Sequence, residues 1–133
     1  MTGVSEQEVE ELERRLGGSL PESYRRFLLT MGSDEAGPLR GTDCLLRHVL
    51  ANNDWLPRLL SQNDVQHNLP KRYVCFFMHQ GYIAAWFDLN STDSDPPCWV
   101  FSEYDVPVPE QRGTFSSFMR AEVEARDGIW EAG

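Results

Sequence analysis

The sequence predicts an α+β domain: a central antiparallel sheet with N-terminal and C-terminal helices packed against it. Three observations carry this. Apolar residues recur at intervals of three and four near both ends of the chain. Between Tyr73 and Phe101 they gather instead in short runs rich in aromatic and β-branched residues. Polar stretches with Gly and Pro separate these blocks, and no internal repeat is visible. Helices at both ends of a run of strands fit segregated layers, with the helices expected on one face of the sheet. A chain of 133 residues hides about 68 % of its unfolded surface, so residues 1–133 are read as one domain.

The first helix starts at Ser5, whose hydroxyl can cap the Glu8 amide while the Glu8 side chain reaches back. Val4 and Val9 occupy the two staple positions; Val9, Leu12 and Leu16 form the apolar stripe, and Gly17 ends the helix. Pro21 in a first turn, then Tyr24, Phe27, Leu28 and Met31, describe a second helix that runs to Gly32. Residues 33–41 read as a loop, after which apolar content resumes from Cys44 to Leu60, with Pro57 expected to kink or divide any helix there.

Tyr73 to Met78 and Tyr82 to Asp88, joined by His79, Gln80 and Gly81, read as a β-hairpin. A polar loop from Asn90 to Pro97 leads to a third strand, Cys98 to Phe101. Pro107 and Pro109 lack the amide donor, which bars Val106 to Pro109 from a central strand. Thr114 is positioned to cap a last helix with Phe115, Phe118, Met119 and Val123 on its buried stripe.

A net charge of −9 and pI ≈ 4.7 disfavour direct nucleic-acid binding, which needs clustered Lys and Arg to displace counterions, and disfavour an anionic membrane surface. An acidic surface steers the protein towards basic partners, and proteins that cut or modify nucleic acid are the commonest of these inside a cell. No cationic patch followed by an apolar core opens the chain, and no apolar run approaches the ~18 residues that span a bilayer. A cytoplasmic address is therefore expected. The odd set Cys44, Cys75 and Cys98, lying largely in apolar runs, is expected as free buried thiols.

The motifs of catalysis are missing. No phosphate-cradling Gly-rich loop and no nucleophile elbow occur. Cys44 with His48, and Cys75 with His79, share a spacing of four, but the second pair falls in a strand, where roughly 13 Å of rise separates such positions. Asp88, Asp93 and Asp95 resemble a calcium loop, yet Asp93 stands where glycine is required and Trp99 where glutamate is. A metal or hydrolytic centre would need Cys44, His48, His67, His79 and the aspartates to converge. The expectation is no enzyme, no cofactor and no metal.

One feature rises above background. Between Tyr73 and Gln111 there is no Lys or Arg, while Asp88, Asp93, Asp95, Glu103, Asp105 and Glu110 all fall there, giving −6 of the −9. Tyr82, Trp86, Trp99 and Tyr104 are interleaved with these acids, and aromatics beside one-signed charge are what protein interfaces use to anchor and steer. Trp86 and Trp99 are expected in the core rather than on the surface. The expected partner-binding residues are Tyr82, Asp93, Asp95, Glu103, Tyr104 and Asp105.

Leu16-Gly17, Leu20-Pro21, Tyr24 and Phe27-Leu28 are similar to the opening two helices of the SUKH superfamily (Smi/Knr-like). Phe76-Phe77, Gly81, Trp86-Phe87-Asp88, Pro97, Val100-Phe101, Glu103, Phe115 and Phe118 follow in that family's order, so the resemblance runs from about Val9 to Val123. It implies a family in which many bacterial members are immunity proteins that bind and block polymorphic toxins, while others are regulatory or scaffold proteins. The expected function is therefore binding and neutralising a cognate, cytosol-acting toxin by occluding its active site. The partner would be a basic protein of the nuclease type. The alternative is a regulatory protein-binding module that neutralises nothing.

Overall fold

The computed structural model describes residues 2–132. In chain order it contains α1 (Glu6–Leu16), α2 (Glu22–Met31), a single 3-10 turn (Leu46–His48) and α3 (Val49–Gln62). Then come β1 (Tyr73–His79), β2 (Ile83–Asp88), β3 (Pro97–Ser102), β4 (Val106–Thr114) and α4 (Phe115–Ala125). The four strands form one antiparallel sheet in the order β1-β2-β3-β4. The α+β class and the flanking of the sheet by helices from both ends are as the sequence predicts.

The arrangement on one face is corrected. Alternating strand residues feed two cores, one on each side of the sheet. Val9, Leu12, Tyr24, Phe27, Phe115 and Met119 from α1, α2 and α4 pack with Val74, Phe76, Phe87, Cys98 and Val100. On the opposite face, Leu56, Leu59 and Leu60 of α3 pack with Cys75, Met78, Trp86 and Phe101. A bulge between Cys75 and Phe77 breaks the alternation, so that Phe76 and Phe77 both join the first core. Phe118 of α4 meets both rings edge-on, at 5.6 Å and 5.3 Å.

Helix α1 begins as its capping residues dictate: the Glu8 amide donates to Ser5 Oγ at 3.1 Å and the Ser5 amide to Glu8 Oε1 at 3.1 Å. Helix α3 departs from expectation, because it passes Pro57 undivided. Proline removes the amide that should bond the Asn53 carbonyl. The Tyr73 hydroxyl supplies the missing donor, at 2.8 Å from Asn53 O. The same asparagine closes the outer edge of β1: its Oδ1 accepts from the Cys75 amide at 2.7 Å, and its Nδ2 donates to the Tyr73 carbonyl at 3.0 Å. Asp43 completes the edge by exchanging two backbone hydrogen bonds with Met78. The other sheet edge is β4, where Pro107 and Pro109 are compatible with an outermost strand.

The β1–β2 hairpin closes through Gln80 and Gly81, at φ of 52° and 77°. Two consecutive positive φ values describe a type I′ turn, whose twist matches that of the strands. Cys44, Cys75 and Cys98 are free and buried. Burial pushes the Cys44 thiol up to about 11, and Cys75 and Cys98 up to about 12.

Candidate protein-binding surface

Because β2 and β3 are neighbours paired at Ile83 and Ser102, the β1–β2 and β3–β4 turns emerge side by side at one end of the sheet. The Glu103 amide donates to the Tyr82 carbonyl at 3.2 Å, carrying the ladder one step past the strands. This sets the rings of Tyr82 and Tyr104 edge to face, with centroids 5.3 Å apart. His79 also meets Tyr82 edge to face, with centroids 6.1 Å apart. Tyr104 is 77 % exposed, as few large side chains of a folded chain are.

The acids beside this pair are held differently. Glu103 Oε1 accepts from Asn63 Nδ2 at 3.1 Å, which fixes the carboxylate against the end of α3. Asp105 is exposed, and its amide donates to the buried Ser102 hydroxyl at 3.4 Å. Trp55 of α3 donates its indole N–H to the Gly81 carbonyl at 3.2 Å and so braces the first turn. Four of the six residues singled out in the sequence, Tyr82, Glu103, Tyr104 and Asp105, therefore share one tip.

Asp93 and Asp95 do not. They lie in the β2–β3 loop at the opposite end of the sheet, about 17 Å away by strand rise. Asp93 is exposed. Asp95 is taken up by the fold: it accepts from the Ser116 amide at 2.9 Å and from the Ser116 hydroxyl, tying the loop to the first turn of α4. Burial alone would raise its pKa, but hydrogen bonds from Ser116, with contributions from Thr114 and Ser23, together outweigh it and hold the carboxyl below its usual value. The acidic segment is thus spread over both ends of the sheet.

Nor do the tryptophans belong to the tip. Trp86 is fully buried, and half-buried Trp99 lies under the His67 ring, with centroids 5.0 Å apart. Sequence reasoning placed His79 in the hairpin connection without its contact to Tyr82, and it missed Trp55 and Asn63. Their roles depend on α3 crossing the second face of the sheet, and no local pattern announces that crossing.

The candidate metal ligands are dispersed in roles of their own. His48 Nδ1 accepts from the Leu45 amide at 3.1 Å, while the Cys44 thiol accepts from the Thr42 hydroxyl at 3.5 Å. Asp88 accepts from the Asn90 amide at 2.9 Å. Among the described residues, no group of three or more His, Cys, Asp or Glu is placed to hold a metal ion. No helix there is long and apolar enough to cross a membrane.

Comparison with protein families matches residues 3–120 to the SMI1 / KNR4 family (SUKH-1). The chain belongs to this family. The match runs from the segment before α1 into α4, so the whole sheet and both of its tyrosine-bearing turns lie within the SUKH-1 region. Comparison with curated proteins gives no match. The SUKH-1 assignment agrees with a surface made for another protein, and the tip is where this chain offers exposed aromatic area beside negative charge.

Proposed function

We propose that this SUKH-1 protein is an immunity protein. It binds a cognate toxin that acts in the cytosol, and it covers the toxin's active cleft. The carrying observation is the Tyr82–Tyr104 pair, flanked by Glu103 and Asp105 and 77 % exposed at Tyr104. A rigid aromatic couple on short, hydrogen-bonded turns loses little conformational freedom on docking. The acids, with Asp93 adding to the field from the far end, draw in a basic protein of the nuclease class, whose cleft is positive because its substrate is not. Asp95 contributes to the same field but is held by Ser116, so its larger role is structural.

The first test is the gene neighbourhood: a secreted multidomain toxin encoded beside this chain supports the reading, its absence favours the regulatory module, and binding to such a toxin is then followed in real time. Tyr104→Ala is expected to speed dissociation and weaken binding about 30-fold, the scale of an aromatic hot spot. Glu103→Arg with Asp105→Arg is expected to slow association and flatten its salt dependence, with dissociation less affected. Affinity unchanged by both variants would overturn this surface. A toxin whose activity survives a stoichiometric complex would overturn neutralisation itself.

A further inference from the structure

Away from the tip, the surface stays acidic except for one patch where cations gather. Arg14, Arg25, Arg26, Arg47, Arg112 and Arg126 each pair with a carboxylate. Arg15, Lys71 and Arg72 have no such partner among the described residues, and all three line one hollow of about 400 Å³ between the end of α1, the start of α3 and the approach to β1. A second hollow, of about 510 Å³, adjoins it and shares Arg15 and Leu50. Together they make a trough whose floor is aliphatic: Leu16, Leu46 and Leu50 are half-buried and packed against the first core.

The carboxylates in this trough do not cancel the cations. Glu8 caps Ser5, Glu11 is bound to Arg14, and Asp54 stands alone on the wall. With Arg14 taken up by Glu11 and Arg47 by Glu35, the three cations Arg15, Lys71 and Arg72 face two carboxylates, Glu8 and Asp54, on a chain whose net charge is −9. Helix electrostatics explains part of this. Arg14 and Arg15 sit at the negative end of α1, and Arg72 lies over Gly17, where an added Cβ would meet its Nε at 3.5 Å. It explains neither Lys71 nor the leucines left half open beneath the cations.

We propose that this trough docks an acidic, amphipathic segment of a protein partner, with leucine-like side chains on Leu16, Leu46 and Leu50 and carboxylates on Arg15, Lys71 and Arg72. Charge complementarity selects the occupant. A nucleic acid would find one ring there, half-buried Tyr73 with its hydroxyl tied to the Asn53 carbonyl, whereas strand-binding grooves stack successive bases on several aromatics. It and an anionic membrane would both meet the carboxylates of the rest of the surface. The trough is independent of the tyrosine tip, and each can fail without the other.

The test uses the full chain and a fluorescent peptide of glutamates and leucines at helical spacing, read by anisotropy and by amide chemical shifts. Saturable binding is expected, with shifts confined to the neighbourhood of Leu16, Leu46, Leu50 and Tyr73. Arg15→Glu with Arg72→Glu should weaken it about tenfold, the product of two exposed charge contacts, and Tyr104→Ala should leave it unchanged. Lys71→Glu, also at an exposed position, serves as a second variant should the double one misfold. The proposal is overturned if the peptide does not saturate, if its shifts map elsewhere, or if a lysine-for-glutamate peptide binds equally well. Tighter binding of oligothymidine or phosphatidylglycerol vesicles than of the acidic peptide would overturn it too.

Discussion

Removing the Asn53 side chain should unfasten the outer strand of the sheet. Asn53→Ala takes away the acceptor 2.7 Å from the Cys75 amide and the donor 3.0 Å from the Tyr73 carbonyl. Each hydrogen bond contributes about 1 kcal/mol net, and an amide left unpaired in a buried strand adds about 1 kcal/mol more. Alanine returns about 0.5 kcal/mol through its better helix propensity, which leaves a loss of about 2–2.5 kcal/mol. At about 2.1 cal/mol/K per residue of unfolding entropy, that lowers Tm by roughly 8 °C. Urea denaturation is the assay, with Gln62→Ala, exposed on the same helix, as a control expected within about 0.5 kcal/mol. A loss no larger than the control's would refute the idea that α3 stands in for a fifth strand. The carbonyl of Asn53 allows a stricter check. Tyr73→Phe should cost about 1 kcal/mol by orphaning it, and Pro57→Ala, which restores a helical amide, should cancel much of that loss in a double-mutant cycle.

Further outcomes follow from other parts of the fold. Asp95→Ala should destabilise by about 1–2 kcal/mol through loss of the bonds at the start of α4, seen as a lower urea midpoint. Since its folded pKa is depressed, the Asp95 contribution is complete above the ordinary carboxylate value and is lost as pH falls through the lower folded one. Gln80→Asn should stabilise by roughly 0.5 kcal/mol in thermal melts, because asparagine tolerates the left-handed region better than glutamine. Burial lowers the pKa of both His48 and His67, so the unfolded chain binds the proton first. Stability should fall as pH drops below the ordinary histidine value of 6.5, and His48→Gln should flatten part of that slope in urea midpoints measured against pH.

What the sequence made legible was whatever is decided locally. Ser5 with Glu8, Thr114 before Phe115, and the period change at Tyr73 each signal themselves within a few residues. So did the hairpin, and so did the exclusion of Pro107 and Pro109 from a central position. The passage of α3 across Pro57 did not, because the Tyr73 hydroxyl that supports it comes sixteen residues later and from another element. Layering was missed for a related reason: Cys75, Met78, Trp86 and Phe101 are simply apolar in sequence, and only the position of α3 tells which side of the sheet they serve. The candidate site divides in the same way. Tyr82 and Tyr104 are near each other because two short turns adjoin, whereas Asp93 and Asp95 share their composition but sit across the length of a strand.

With helices paving both sides of the sheet, and α3 and Asp43 sealing the edge at β1, the described residues leave no broad plane to offer a visitor. Contact is confined to its perimeter, to turn tips and seams between helices. Those positions can be rewritten without disturbing the interior, so a chain built this way can change which protein it recognises while its scaffold stays the same.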